Sequence, residues 1–235
     1  QTCALTILDA NGKIVADAFS GSLPAVSSGS FYGGTDGTVQ HPKNFYEDIT
    51  DTNSQGLNPK TVGGAKGYDQ YIEALNLLAN ADEYDINMIV LPGIINSIHG
   101  GVVSKAVDVC ESRGDCFVIA DPVRYGSTIT GAVTEADKFD SNYSAMYWPW
   151  VQIPDVNLGK NVWVPPSTVL AGIYAFNDKV AHPWYAPAGL NRGGIDVAIQ
   201  AERKLTQADR DTLYESSINP IATFPGQGVV VFGQK

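Results

Sequence analysis

Ile86-Asn87-Met88-Ile89-Val90-Leu91, closed by Pro92-Gly93, and Cys116-Phe117-Val118-Ile119-Ala120, closed by Asp121-Pro122, are two largely apolar runs of strand length. Neither alternates polar with apolar residues, so both read as strands buried on two faces. Between them Ile98, Val102, Ala106 and Val109 recur at helical spacing, and Arg113-Gly114 supplies a stop. Just upstream, Tyr68, Ile72, Leu75, Leu78 and Ala79 form another helical face, with Asp69 and Glu73 in its early turns. Doubly buried strands that alternate with amphipathic helices predict an α/β fold with a mixed, largely parallel sheet flanked by helices. Strands 86–91 and 116–120 are expected side by side and parallel.

Working outward, Ala4–Leu8 and Ile14–Ala16 flank Asn11-Gly12, a pair suited to a type I′ turn, and predict an N-terminal β-hairpin. Residues 20–67 are rich in Gly, Ser, Thr, Asn and Asp and read as a long loop-rich segment, with one short ordered piece at Asn44–Ile49. Downstream, Ala145–Ile153 reads as one aromatic-rich strand whose Pro149 predicts a bulge or an edge position. Val162–Val164 is short and extended. Pro165-Pro166 leads into a helix over Ser167–Lys179 that is expected to bury Val169, Ile173, Phe176 and Val180. A Pro/Gly-rich loop follows over 182–192. Thr206 and Asp209 have capping-box spacing before a helix to Ser216, and Val229–Phe232 is a last strand. No boundary divides the chain, so residues 1–235 are read as one core domain.

Composition narrows the function classes. Of 235 residues, 44% are hydrophobic and 17% charged, an ordinary globular balance. No apolar stretch approaches the roughly 18–20 residues of a membrane-spanning helix, so no membrane partner is expected. A formal charge of −10 opposes nucleic-acid binding, which draws on a basic patch. Cys3, Cys110 and Cys116 show no metal-ligand spacing and are read as reduced core thiols in preference to a Cys110–Cys116 disulfide. Gln1 and the strand-like Thr2–Leu8 suggest a piece of a larger protein, without a signal peptide.

No catalytic constellation emerges. His41 and His182 precede proline in loops and are expected to be exposed. His99, in Ser97-Ile98-His99-Gly100-Gly101, could imitate a protease histidine with Asp85 or Asp121 as partner. However, neither Gly-Thr-Ser-Met-Ala nor Gly-x-Ser-x-Gly occurs, and Ser127 and Ser167 lack a nucleophile elbow. His99 is therefore read as a surface or helix-start residue. Gly63-Gly64-Ala65-Lys66-Gly67 lacks a full phosphate-loop pattern and is read as a turn. Asp82, Glu83 and Asp85 are read as a solvated helix end. Tyr147-Trp148-Pro149-Trp150 could stack sugars or bases, but without interleaved basic residues it is read as packing. No catalytic, cofactor-binding or metal-ligating residue is expected.

A family resemblance lies in the C-terminal third. Ser144-Ala145-Met146-Tyr147-Trp148-Pro149-Trp150, Trp163-Val164-Pro165-Pro166-Ser167 and Ala171-Gly172-Ile173-Tyr174-Ala175-Phe176-Asn177-Asp178 come in the order of contractile-tail bacteriophage sheath proteins. Trp184-Tyr185-Ala186-Pro187-Ala188-Gly189-Leu190-Asn191-Arg192-Gly193, Ile218-Asn219-Pro220 and Phe224-Pro225-Gly226-Gln227-Gly228 continue it. The chain resembles the central part of such a protein. The resemblance implies a structural subunit, not an enzyme, of subtilisin-like topology without protease activity. It implies stacked hexameric rings around a tail tube that contract to drive genome delivery. The implied partners are neighbouring sheath subunits and the tube protein, and the implied location is the virion tail, assembled in the host cytoplasm. Trp163 and Trp184 are expected in the core, and Arg192 in an internal bridge or a contact with a neighbouring subunit. Without the family's usual arms, the chain itself is expected to be a monomer. The competing readings are a serine hydrolase of subtilisin-like fold and a carbohydrate-binding host-recognition module.

Overall fold

The computed structural model describes residues 67–235 apart from Leu158 and Pro183. The expected N-terminal hairpin, Cys3, His41 and nearly all of the 20–67 segment lie outside the described residues.

Helix α1 (Tyr68–Leu78) leads into strand β1 (Met88–Ile95), helix α2 (Asn96–Arg113) and strand β2 (Phe117–Asp121). Helix α3 (Ile129–Ala136), strand β3 (Ser144–Trp148), strands β4 (Val151–Asp155) and β5 (Lys160–Val164) and helix α4 (Ser167–Val180) follow. Strand β6 (Gln200–Ala201), helix α5 (Gln207–Glu215) and strands β7 (Ile218–Phe224) and β8 (Gly228–Val231) close the chain. The main sheet has the order β1-β2-β3-β7-β8. Its first four strands are parallel and β8 pairs antiparallel with β7. A smaller antiparallel sheet has the order β5-β4-β6.

The two-residue period of the strands sorts the core into two layers. Val118 and Ala120 of β2 and Met146 and Trp148 of β3 join one cluster with Leu75, Val102, Val103, Ala106 and Leu213. Ile119, Ala145 and Tyr147 point the other way and pack with Val169, Leu170 and Ile173 of α4. Helices thus cover both faces of a mostly parallel sheet, as the alternation predicts. Strands β1 and β2 are adjacent and parallel, with Ile89 opposite Val118. β1 is the outermost strand among the described residues, yet Ile89, Ile94 and Ile95 are buried.

Several boundaries differ from expectation. β1 does not stop at Pro92-Gly93 but runs to Ile95, with Pro92 in a stretch where the register against β2 shifts. Such an irregularity accommodates a residue that cannot donate to the ladder. The single strand expected over 145–153 is two strands in different sheets, separated by a cis Trp148–Pro149 peptide. Pro149 therefore marks the exit from a central strand, not a bulge or an edge. α3 and β7 were not expected at all. Thr128 caps α3 by accepting from Gly131 N–H at 3.2 Å. β7 is a central strand despite Pro220, whose carbonyl accepts from Phe232 N–H at 2.9 Å.

Helix α4 corrects a third expectation. Its buried residues are Ser167, Val169, Leu170, Ile173 and Asn177, whereas Phe176 and Val180 are 50% and 52% exposed. The apolar stripe of α4 extends past its buried face, and its far edge remains exposed.

Candidate functional site

In open parallel sheets chemistry gathers beyond the carboxyl ends of the strands. Here that end holds Asn96, His99, Asp121 and Ser167, all buried. Ser167 is the first residue of α4, whose cap position is Pro166, a residue with no side-chain hydrogen bond to offer. Asp121, the last residue of β2, takes that role from a distant part of the chain. Its Oδ1 accepts from Ser167 N–H at 3.0 Å and its Oδ2 from Ser167 Oγ at 2.5 Å. One orphan donor of the helix is thereby satisfied, and an acidic group sits at the positive end of the helix dipole. Burial pushes the Asp121 carboxyl up to about 7, and the two bonds from Ser167 pull only partly against it.

His99 is not a surface residue, as one expectation had it, but is 1% exposed at the start of α2. Its Nδ1 accepts from Ile95 N–H at 3.0 Å, and its own backbone leaves helical geometry (φ −113°, ψ 31°). Asp85, once a possible partner, is exposed at the amino end of β1, the opposite end of that strand from His99. The serine beside Asp121 is Ser167, with both carboxylate oxygens engaged, and Ser167 is fully buried. This is the geometry of a joint between β2 and α4, with no nucleophile presented to solvent. Asn96 makes a similar joint, donating through Nδ2 to Glu135 Oε2 of α3 at 3.0 Å.

Other sequence candidates also resolve into packing. Tyr147, Trp148 and Trp150 are all buried, so they form no stacking platform. Tyr147 shares a 2.6 Å hydroxyl contact with Tyr174, and Trp150 Nε1 donates to Val123 O at 3.0 Å. Trp163 is half-buried against Tyr125, their rings 5.3 Å apart. Asp82, Glu83 and Asp85 are exposed. Among the described residues no cluster of three or more His, Cys, Asp or Glu side chains could hold a metal.

One surface differs from what the sequence leads one to expect. Trp184, expected in the core, is 78% exposed, and Phe176, Val180, Tyr185, Leu190 and Val197 are exposed with it. They come from the last turns of α4 and from the 184–197 loop. The loop is held firmly: Gly189 N–H donates to Val231 O at 2.8 Å, Val231 N–H to Gly193 O at 2.7 Å, and Ile195 N–H to Val229 O at 2.8 Å. Gly193 admits no side chain, since a Cβ there would lie 2.5 Å from Val231 O and 2.9 Å from Ala188 Cα. His182, exposed as expected, stacks on Trp184 with centroids 4.4 Å apart. Arg192 lies 4.7 Å over the Tyr185 ring, and no carboxylate among the described residues forms an ion pair with it. A cleft of about 460 Å³ runs between Ile173, Phe176, Leu190, Arg192 and Val197. Exposed apolar and aromatic side chains are thus displayed on α4 and on a loop whose 189–195 part is pinned to β8, an arrangement that serves docking against another protein.

Comparison with known proteins converges on one family. The family model for the phage tail sheath protein central domain matches residues 64–235. The tail sheath protein of Vibrio phage KVP40 is 41% identical over 201 residues, covering 72% of this chain and 29% of that protein. The tail sheath protein of Enterobacteria phage T4 is 28% identical over 214 residues, covering 83% and 32%. The chain therefore spans about a third of the length of these relatives. In fold it is similar to a chain of the anti-feeding prophage baseplate, with TM-score 0.52 and 21% identity over 73% of this chain and 43% of that one. It is also similar to the contracted helical sheath of that prophage, with TM-score 0.51 and 23% identity over 74% and 45%. On the family match and the 41% identical relative, this chain belongs to the phage tail sheath protein family and carries its central domain.

Proposed function

We propose that the chain is the central domain of a structural sheath subunit, one that stacks as hexameric rings around a tail tube and contracts to drive genome delivery. The observation that carries the proposal is the exposure of Phe176, Val180, Trp184, Tyr185 and Leu190 on α4 and the loop that follows it. A lattice subunit needs a rigid surface whose exposed apolar area is covered only on assembly. The neighbouring sheath subunit is the partner for that face, and the tube protein the partner of the whole sheath. The subunit is assembled in the host cytoplasm and resides in the virion tail. This reading takes the domain as a subtilisin-like topology with no enzymatic role, supported by the burial of Ser167 and by the use of His99 as a backbone acceptor.

The test is electron microscopy of the protein at its natural full length carrying Trp184→Ala together with Phe176→Ser. Half-exposed side chains contribute little to the folded monomer, so the thermal midpoint stays close to that of the parent while sheath-like tubes are lost. Tubes forming normally would move the assembly surface elsewhere. Labelling of Ser167 by a fluorophosphonate probe would overturn the non-enzymatic reading.

A further inference from the structure

Cys110 lies in the last turn of α2 and Cys116 immediately precedes β2, with Gly114 in the left-handed region (φ 74°) turning the chain between them. The two Sγ atoms are 3.1 Å apart, and both thiols are free. They lie in the cluster that joins α1, α2 and the sheet. A disulfide needs about 2.0 Å between sulfurs, so an approach of about 1 Å separates the pair from a bond.

We propose that Cys110 and Cys116 form an oxidative modification site, a dithiol that closes to an intrachain disulfide when the protein meets a peroxide-class oxidant. Cys116 is 4% exposed and Cys110 0%, so the small oxidant reaches Cys116 first. The Cys116 sulfur attacks one peroxide oxygen, the O–O bond breaks, and Cys116 becomes a sulfenic acid with release of one water. The Cys110 sulfur then attacks the Cys116 sulfur and displaces its hydroxyl as a second water. Overall, two thiols and one hydrogen peroxide give one disulfide and two waters, the two cysteines supplying the two electrons. The second step is intramolecular, and its pre-formed geometry favours it over further oxidation of Cys116. Burial and the neighbouring Cys116 push the Cys110 thiol up, so its thiolate is scarce near neutrality and closure accelerates with rising pH.

The experiment treats the folded full chain with hydrogen peroxide at pH 7 and pH 9 and reads intact mass and a non-reducing peptide map. In the expected product the map joins the Cys110 and Cys116 peptides with the loss of two hydrogens and no oxygen added to either cysteine, and it forms faster at pH 9 than at pH 7. In Cys110→Ser the same treatment leaves a Cys116 sulfenic acid that a dimedone probe captures. Two findings would overturn the proposal. One is that Cys110 and Cys116 both remain alkylatable in the unsubstituted chain when it is unfolded after peroxide treatment, whatever the variant shows. The other is closure in urea alone, which would show that the folded geometry plays no part. If Cys110→Ser fails to fold, the mass and map of the parent alone decide.

Discussion

Asp121 carries an acid where water would ordinarily be needed to support its charge. Desolvation raises its folded value from 3.8 to about 7, so the folded state holds this proton more tightly than the unfolded chain does. The stability it contributes is therefore full below about 3.8 and is lost as pH rises through about 7, in total on the order of a few kcal/mol. Asp121→Asn keeps an acceptor for Ser167 N–H and can donate to Ser167 Oγ, but cannot ionise. Urea denaturation from pH 4 to pH 8 should show the variant gaining on the parent across this window, and equal slopes would refute the buried-acid account. His99 invites a second substitution. His99→Ala leaves Ile95 N–H without its acceptor inside the core and should cost about 1–3 kcal/mol. A urea midpoint unchanged by His99→Ala would return the residue to the surface role its sequence suggested. Nothing local in Ser97-Ile98-His99-Gly100-Gly101 reveals that the imidazole turns back onto Ile95, because that contact depends on how α2 leaves β1.

At the level of elements, periodicity carried most of the legible information. Both doubly apolar strands, α1, α2 and the capping of α5 follow from local pattern, because each is long or carries an end signal in its own sequence. Thr206 Oγ1 accepts from Asp209 N–H at 3.2 Å, while Asp209 Oδ2 accepts from Thr206 N–H at 2.9 Å. Removing that reciprocal cap by Thr206→Ala should destabilise the protein by about 1 kcal/mol, read as a lower urea midpoint with an unchanged slope. A loss below a few tenths would mean that the packing of α5 on β7 holds the helix without its cap. What the sequence hid has specific causes. α3 has only eight residues, too few for a helical period to stand out. β7 contains Pro220, which argues against a central strand until its neighbours are known. The aromatic run 145–153 looks continuous because the change of sheet at Pro149 is a tertiary event. The joint between Asp121 and Ser167 links residues 46 apart, beyond any local pattern.

For the whole molecule, the decisive question is how apolar surface divides between the interior and a partner. A one-dimensional pattern records that Phe176, Val180 and Trp184 are apolar, and says nothing about which body covers them. The core takes Leu170, Ile173 and Asn177 of α4 instead, and the residue is a display of aromatic and aliphatic side chains beside the 184–197 loop. One such face gives a single weak contact per neighbour, and a lattice multiplies weak contacts into a stable whole. The chain spans about a third of the length of its tail sheath relatives. Its copies also carry a net charge of −10 and repel one another over about 10 Å at 0.1 M salt. The 235-residue chain is accordingly predicted to be a monomer at micromolar concentration and moderate salt. Raising the salt should screen the repulsion and produce weak, reversible association that Trp184→Ala abolishes. Sedimentation velocity across a salt series measures both effects. A stable hexamer or filament at moderate salt would show that the central domain alone sustains the lattice, and persistence of the high-salt association in Trp184→Ala would place its contact on another surface.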